Sequence, residues 1–176
     1  MKHTTCKYWR YRLATILLLA MFSAIAVQVS AQQITTFILL RHAEKVRDGS
    51  KDPALTTEGK ARAMRLSALL DKTSVDVVYT THYQRTRATV EPLAKSKALD
   101  IREYEPSQEA VIDEMLSRHQ GKTILVCGHS DTIPEIANWL TGSQQFQEFD
   151  DADFGNLFVI SLVSKGSAAK VTWLRY

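Results

Sequence analysis

The sequence predicts a three-layer α/β/α protein, with helices covering both faces of a mainly parallel central sheet. Two observations predict it. Short apolar, β-branched runs alternate with helical segments about 10–15 residues long, the pattern of right-handed crossovers between parallel strands. The two most apolar runs beyond the N-terminal region, 35–40 and 122–128, read as strands buried in the middle of a sheet.

The elements follow in order. TTFILL (35–40) is the first strand. LTTEGKARAMRLSALLDK (55–72) sets Ala61, Met64, Leu66, Ala68, Leu69 and Leu70 at roughly helical spacing behind Thr56 or Thr57 as N-cap. VDVVYT (75–80) is a strand, and QRTRATVEPLAKSKA (84–98) is a helix that Pro92 should interrupt or kink. DIREY (100–104) is a short strand closed by Pro106. SQEAVIDEMLSRHQ (107–120) puts Val111, Ile112, Met115 and Leu116 on one helical face, capped by Ser107 and stopped by Gly121. KTILVCG (122–128) is the second buried strand, and TIPEIANWLTG (132–142) a helix ending at Gly142. NLFVISLV (156–163) and AKVTWLRY (169–176) form a closing pair, antiparallel at an edge, around the turn SKGSA. RDGSKDP (47–53) and GSQQFQEFDDADFG (142–155) are loops, the second acidic and solvated.

The chain ahead of this pattern is of another kind. MKHTTCKYWRYR carries Lys2, Lys7, Arg10 and Arg12 and no acid; an apolar run from Leu13 to Val27 follows, then Val29 and Ala31 in a small-x-small site. This is the layout of a secretory signal peptide over residues 1–31, cleaved after Ala31, and it points to the periplasm or beyond the cell. The apolar run is 15 residues, shorter than the roughly 20 a spanning helix needs. No membrane span is expected after cleavage.

Removing the leader changes the charge argument. Taking four basic residues from the 22 of the full chain leaves 18 against 19 acids, so residues 32–176 are close to neutral and nucleic acid is not an expected partner. Cys6 leaves with the leader, and Cys127 remains alone, which excludes an internal disulfide and a cysteine zinc site. The remaining length is that of one ordinary domain.

Polar residues gather where the parallel strands end, the place where ligands bind in open α/β sheets. The first strand runs into Arg41, His42, Ala43 and Glu44; the second into Thr81 and Arg85; the fourth into His129 and Asp131. Guanidinium forks suit phosphate oxygens. A neutral imidazole can attack phosphorus and split the transfer into two easier steps. A second histidine and a helix start can stabilise the oxygens of the transition state.

At these residues the chain resembles the histidine phosphatase superfamily, the phosphoglycerate mutase-like group. Its R-H-G-E signature appears as Arg41-His42-Ala43-Glu44, its L-T-x-x-G-x-x-R/Q-A as LTTEGKARA (55–63), its S-x-x-x-R-A-x-x-T as THYQRTRAT (81–89), and its V-x-G-H-S as VCGHS (126–130). All four stand in family order. The resemblance implies a phosphoglycerate mutase-like fold over residues 32–176 and a phosphatase that needs neither metal nor cofactor. His42 would be the phosphorylated nucleophile, with Arg41, Arg85 and His129 completing the phosphate pocket and Glu44 among the substrate-binding residues. The proton donor to the leaving group is expected to be Glu105, then Glu44, then Asp131. Asp131 reads more readily as a cap of the helix at 132–140, and Glu44 also as a structural partner of Arg41. The short chain leaves little room for capping insertions, so a compact phosphatase of small molecules or phosphohistidine is expected. A phosphate-binding or interaction domain without turnover is the other class that these residues allow.

Outside the constellation, His82 and His119 are expected to be exposed, Trp139, Trp173, Phe158 and Tyr104 to belong to core or rim, and Cys127 to be a small buried hydrophobe.

Overall fold

The computed structural model describes residues 32–166 and 168–176. The expected leader, residues 1–31, lies outside them. Six strands, β1 (Thr35–Arg41), β2 (Val77–Thr80), β3 (Ile101–Glu103), β4 (Thr123–Gly128), β5 (Asn156–Leu162) and β6 (Lys170–Arg175), form one sheet in the order β3-β2-β4-β1-β5-β6. The first four are parallel to one another. The antiparallel part extends further than the sequence implied, because β5 runs against β1 as well as against β6.

Alternation along the strands splits the core. Phe37, Leu39, Tyr79, Ile124 and Val126 face the helices α3 (Ala110–Arg118) and α4 (Thr132–Thr141), packing on Ile112, Met115, Ile133, Ile136 and Leu140. Ile38, Leu40, Val78, Leu125 and Cys127 face α1 (Thr57–Leu69) and α2 (Gln84–Ser96), packing on Leu66, Val90 and Leu93. Each large apolar side chain fully withdrawn from water contributes about 1.5–3 kcal/mol. Burial on both faces is what the continuous apolar runs of β1 and β4 required. Cys127 is free and buried.

Several details depart from expectation. Helix α1 buries Gly59, Ala63 and Leu66, a narrow stripe, while Met64 is 61% and Leu69 49% exposed; its apolar residues are scattered round the helix among Glu58, Lys60, Arg62 and Arg65, so periodicity alone could not choose the face. Thr56 is its N-cap, accepting from Gly59 N at 3.0 Å. Helix α2 runs through Pro92 without a break, forgoing only the bond proline cannot donate. Helix α3 begins at Ala110, later than expected, because the Ser107 hydroxyl turns to Glu105 rather than to a helical N–H. His119 is half-buried, with a ring nitrogen 2.9 Å from the Tyr79 hydroxyl.

The acidic loop 142–155 is not simply solvated. Asn138 donates to Phe146 O at 2.9 Å and accepts from Phe146 N at 3.1 Å. Phe149 N donates to Ser130 O at 3.0 Å, and both phenylalanines are buried in the core. Because β5 is antiparallel to β1, the segment entering it must arrive at the carboxyl ends of the parallel strands. Among the described residues no helix is long and apolar enough to cross a membrane.

Candidate active site

Strand pairing brings the two histidines together. Arg41 lies opposite Gly128, and His42 N donates to Gly128 O at 2.9 Å, carrying the β1–β4 ladder one residue past the strand. His42 and His129 therefore leave neighbouring parallel strands side by side, with ring centroids 5.4 Å apart. A side chain at Gly128 would bring its Cβ to 2.8 Å from the Tyr104 hydroxyl and 2.9 Å from the Thr132 hydroxyl, so only glycine fits between them.

The His42 ring is 2.7 Å through Nδ1 from Ala43 O. A carbonyl only accepts, so Nδ1 carries the proton and Nε2 keeps a free lone pair. Burial drives its pKa down to about 3; the Ala43 carbonyl works against this, and the charges of His129, Arg85 and Arg41 add to it. His129 places Nε2 3.0 Å from the Thr81 hydroxyl. Its pKa falls to about 4, again by burial first and then by Arg85, with Asp131 opposing. Both imidazoles are neutral at pH 7.

The two arginines are buried, Arg41 to 3% and Arg85 to 8% exposure. Arg41 Nη1 donates to Asp150 O at 2.7 Å and to Asp153 O at 3.2 Å; Nη2 is 3.7 Å from the Asp151 carboxylate, and Phe154 covers the guanidinium at 4.3 Å. Arg85 stacks on the Tyr83 ring at 4.1 Å and is 3.4 Å from Asp52, while the Tyr83 ring meets His129 edge-on at 5.2 Å. The Nε atoms of both arginines are buried and have no hydrogen-bond partner among the described residues. Two buried donors without acceptors leave hydrogen-bonding capacity unused at the strand tips.

The remaining expected residues are placed differently. Glu44 accepts from Arg62 Nε at 2.9 and 3.0 Å, so its partner is Arg62 and not Arg41. Burial opposes its ionisation, but the hydrogen bond and charge of Arg62 prevail and hold the carboxyl below its usual range. Asp131 caps α4, accepting from Thr132 N at 2.7 Å. Glu105 is exposed, 3.4 Å from the Ser107 hydroxyl, and touches neither histidine. Arg41, His42, Arg85 and His129 thus cluster at the strand tips, with both arginines acting electrostatically on both histidines, and none of the three carboxyl candidates hydrogen-bonds either histidine among the described residues.

Reading the sequence missed the supports. Asp52 accepts from Gln84 N at 3.1 Å and so caps α2, whose own N-cap residue, Tyr83, makes no side-chain capping bond. Thr89, last residue of the third motif, accepts from Ala43 N at 2.9 Å and ties α2 to the tip of β1. Phe154 carried no signal beyond being aromatic. Among the described residues no group of three or more His, Cys, Asp or Glu is arranged to hold a metal.

A three-layer α/β domain that gathers two histidines and two buried arginines at its strand tips offers the donors that a phosphoryl group needs. The profile of the histidine phosphatase superfamily (branch 1) matches residues 37–109. Those residues carry the first three of the four motifs, from the tip of β1 to the end of β3 and beyond. The fourth motif, at 126–130, falls beyond the matched segment, and the parallel pairing of β1 with β4 is what brings it to the other three. The protein histidine phosphatase SixA complexed with tungstate superposes with a TM-score of 0.65 at 15% identity, over 80% of this chain and 96% of that one. The mycobacterial glucosyl-3-phosphoglycerate phosphatase gives 0.65 at 11% identity, over 82% and 99%. A histidine-to-alanine mutant of phosphoserine phosphatase from Entamoeba histolytica, in complex with phosphoserine, gives 0.63 at 14% identity, over 78% and 95%. These likenesses establish the phosphoglycerate mutase-like fold. No curated protein matched the chain.

Proposed function

We propose that the protein is an exported, metal-independent phosphatase acting on a phosphate monoester or phosphoramidate through a phosphohistidine on His42. One observation carries the reading: the Nδ1 proton of His42 is engaged by a carbonyl, which leaves an uncharged Nε2 inside a pocket with two buried guanidiniums. Arg41 and Arg85 hold the phosphoryl oxygens, and His129 supplies a further donor as charge builds on them. The His42 Nε2 lone pair forms a bond to phosphorus while the bond to the leaving oxygen or nitrogen breaks. The leaving group takes a proton from a carboxylic acid. Water then attacks phosphorus, the P–N bond breaks, inorganic phosphate departs, and the water's proton returns to the acid.

Glu105 is the proposed proton donor, since Glu44 is committed to Arg62 and Asp131 to the start of α4. Export rests on the basic, then apolar, then small-x-small order of residues 1–31. The names of the similar structures cover phosphohistidine, phosphoserine and a sugar-linked phosphoglycerate, so a small phosphorylated compound and phosphohistidine both remain within the reading. The test is hydrolysis of an aryl phosphate in excess EDTA beside His42→Ala. Turnover that survives EDTA and falls at least about a thousandfold in the variant supports it. Turnover that survives loss of His42 refutes the nucleophile.

A further inference from the structure

A cavity of about 370 Å³ lies beside the tip of β1, with Arg41 and Phe154 among its lining residues. Its other side is the loop after β1, with Lys45, Arg47, Gly49, Ser50 and Pro53. The base of that loop is fixed. Lys45 pairs with Leu55 as an antiparallel bridge, and Val46 N donates to Ala54 O at 2.8 Å. Lys45 therefore leaves a defined backbone position, two residues before Arg47.

The charges are unbalanced. Arg41, Lys45 and Arg47 line the cavity against a single carboxylate, Asp151, which lies 3.7 Å from Arg41 and is 88% exposed. Neither Lys45 nor Arg47 makes an ion pair or side-chain hydrogen bond among the described residues, whereas most other cations near the strand tips do. Arg41 itself keeps a buried Nε without a partner. Two free cations on a loop whose base is fixed, in a cavity that Arg41 also lines, fit an anion.

We propose that this cavity is a subsite for a second anionic group on the substrate, a phosphate or a carboxylate carried by the leaving group. The inference rests on the reading of Arg41 and His42 as the phosphoryl site and adds the substrate class, a phosphorylated compound with a further negative charge. Asp151 sets its limit: it repels an anion pushed deep against Arg41 and leaves the Lys45 and Arg47 side as the contact.

The experiment compares an alkyl monophosphate with the matching terminal bisphosphate and the matching phospho-carboxylate, over chains of graded length. The purified protein is assayed beside Lys45→Gln/Arg47→Gln. The wild type is expected to show a KM about tenfold lower for the doubly anionic compounds, and the variant to lose that advantage while its kcat/KM on the monophosphate stays within about twofold. Whichever second anion gains more identifies the group. Calorimetric binding of a methylene bisphosphonate against methylphosphonate gives the same comparison without turnover. Equal binding of the two by wild type, or equal loss on both in the variant, overturns the subsite. Absence of all turnover with the binding preference intact would count against the catalytic reading alone.

Discussion

The two ring nitrogens of His42 have separate tasks, and pH exposes the division. The folded pKa values of His42 and His129 are pushed down to about 3 and about 4, whereas an unfolded histidine titrates near 6.5. Between those values the unfolded chain binds protons that the native one does not. The contribution of the neutral rings is therefore whole above about pH 6.5 and is lost as pH falls toward 4 and then 3. Thermal melts from pH 7 to pH 4 should show a steep fall in Tm that His42→Gln/His129→Gln flattens; an unchanged slope would mean the rings do not titrate as described. A second residue-scale prediction concerns Glu44 and Arg62, whose side chains are 19% and 15% exposed. Arg62→Met strands the carboxylate and should cost about 2–3 kcal/mol in urea unfolding. Adding Glu44→Gln should recover a large part of that loss.

At the scale of elements, helix α1 is fastened to the loop that follows the nucleophile. Thr56 N donates to Glu44 O at 2.9 Å, and a Cβ at Gly59 would lie 2.2 Å from that same oxygen. The obstacle is backbone, which cannot swing aside. Gly59→Ala should cost about 3 kcal/mol or more by forcing the helix off Glu44, and urea midpoints measure it. Thr89→Val should leave the buried Ala43 N–H unpaired, costing about 1–3 kcal/mol and raising KM for any phosphate substrate, because β1 loses its tie to α2. These contacts explain what the motif spells: threonine to cap, glycine to approach, arginine to pair. The motif was legible as letters, and its mechanics were not. Strands and helices were legible because burial imposes periodicity, and the clustering of Arg41, His42, Arg85 and His129 because each follows a strand or opens a helix. Arg62 as the partner of Glu44, Asp52 as the cap of α2 and Phe154 over Arg41 were hidden, since each depends on loops whose path no local pattern encodes. The exposed Met64 and Leu69 of α1 show the same limit from the apolar side.

At the scale of the whole molecule, the pocket is drawn from distant parts of the chain. Arg41 is held by residues 109 and 112 positions away, and His42 N reaches Gly128 O. If the leader acts as proposed, mass spectrometry of protein recovered from the exported fraction should give an N-terminus at Gln32; an intact Met1 there would argue for retention. The reversal of β5 against β1 also carries a consequence in time. Local helices and neighbouring strands can form early, but the loop that clasps Arg41 is delivered only when β5 docks. Contacts of such sequence separation are the slow ones in folding. Refolding from urea should therefore regain helical circular dichroism first and hydrolytic activity later, and a stretch of folding time will exist in which the sheet is largely built and the enzyme has yet to appear.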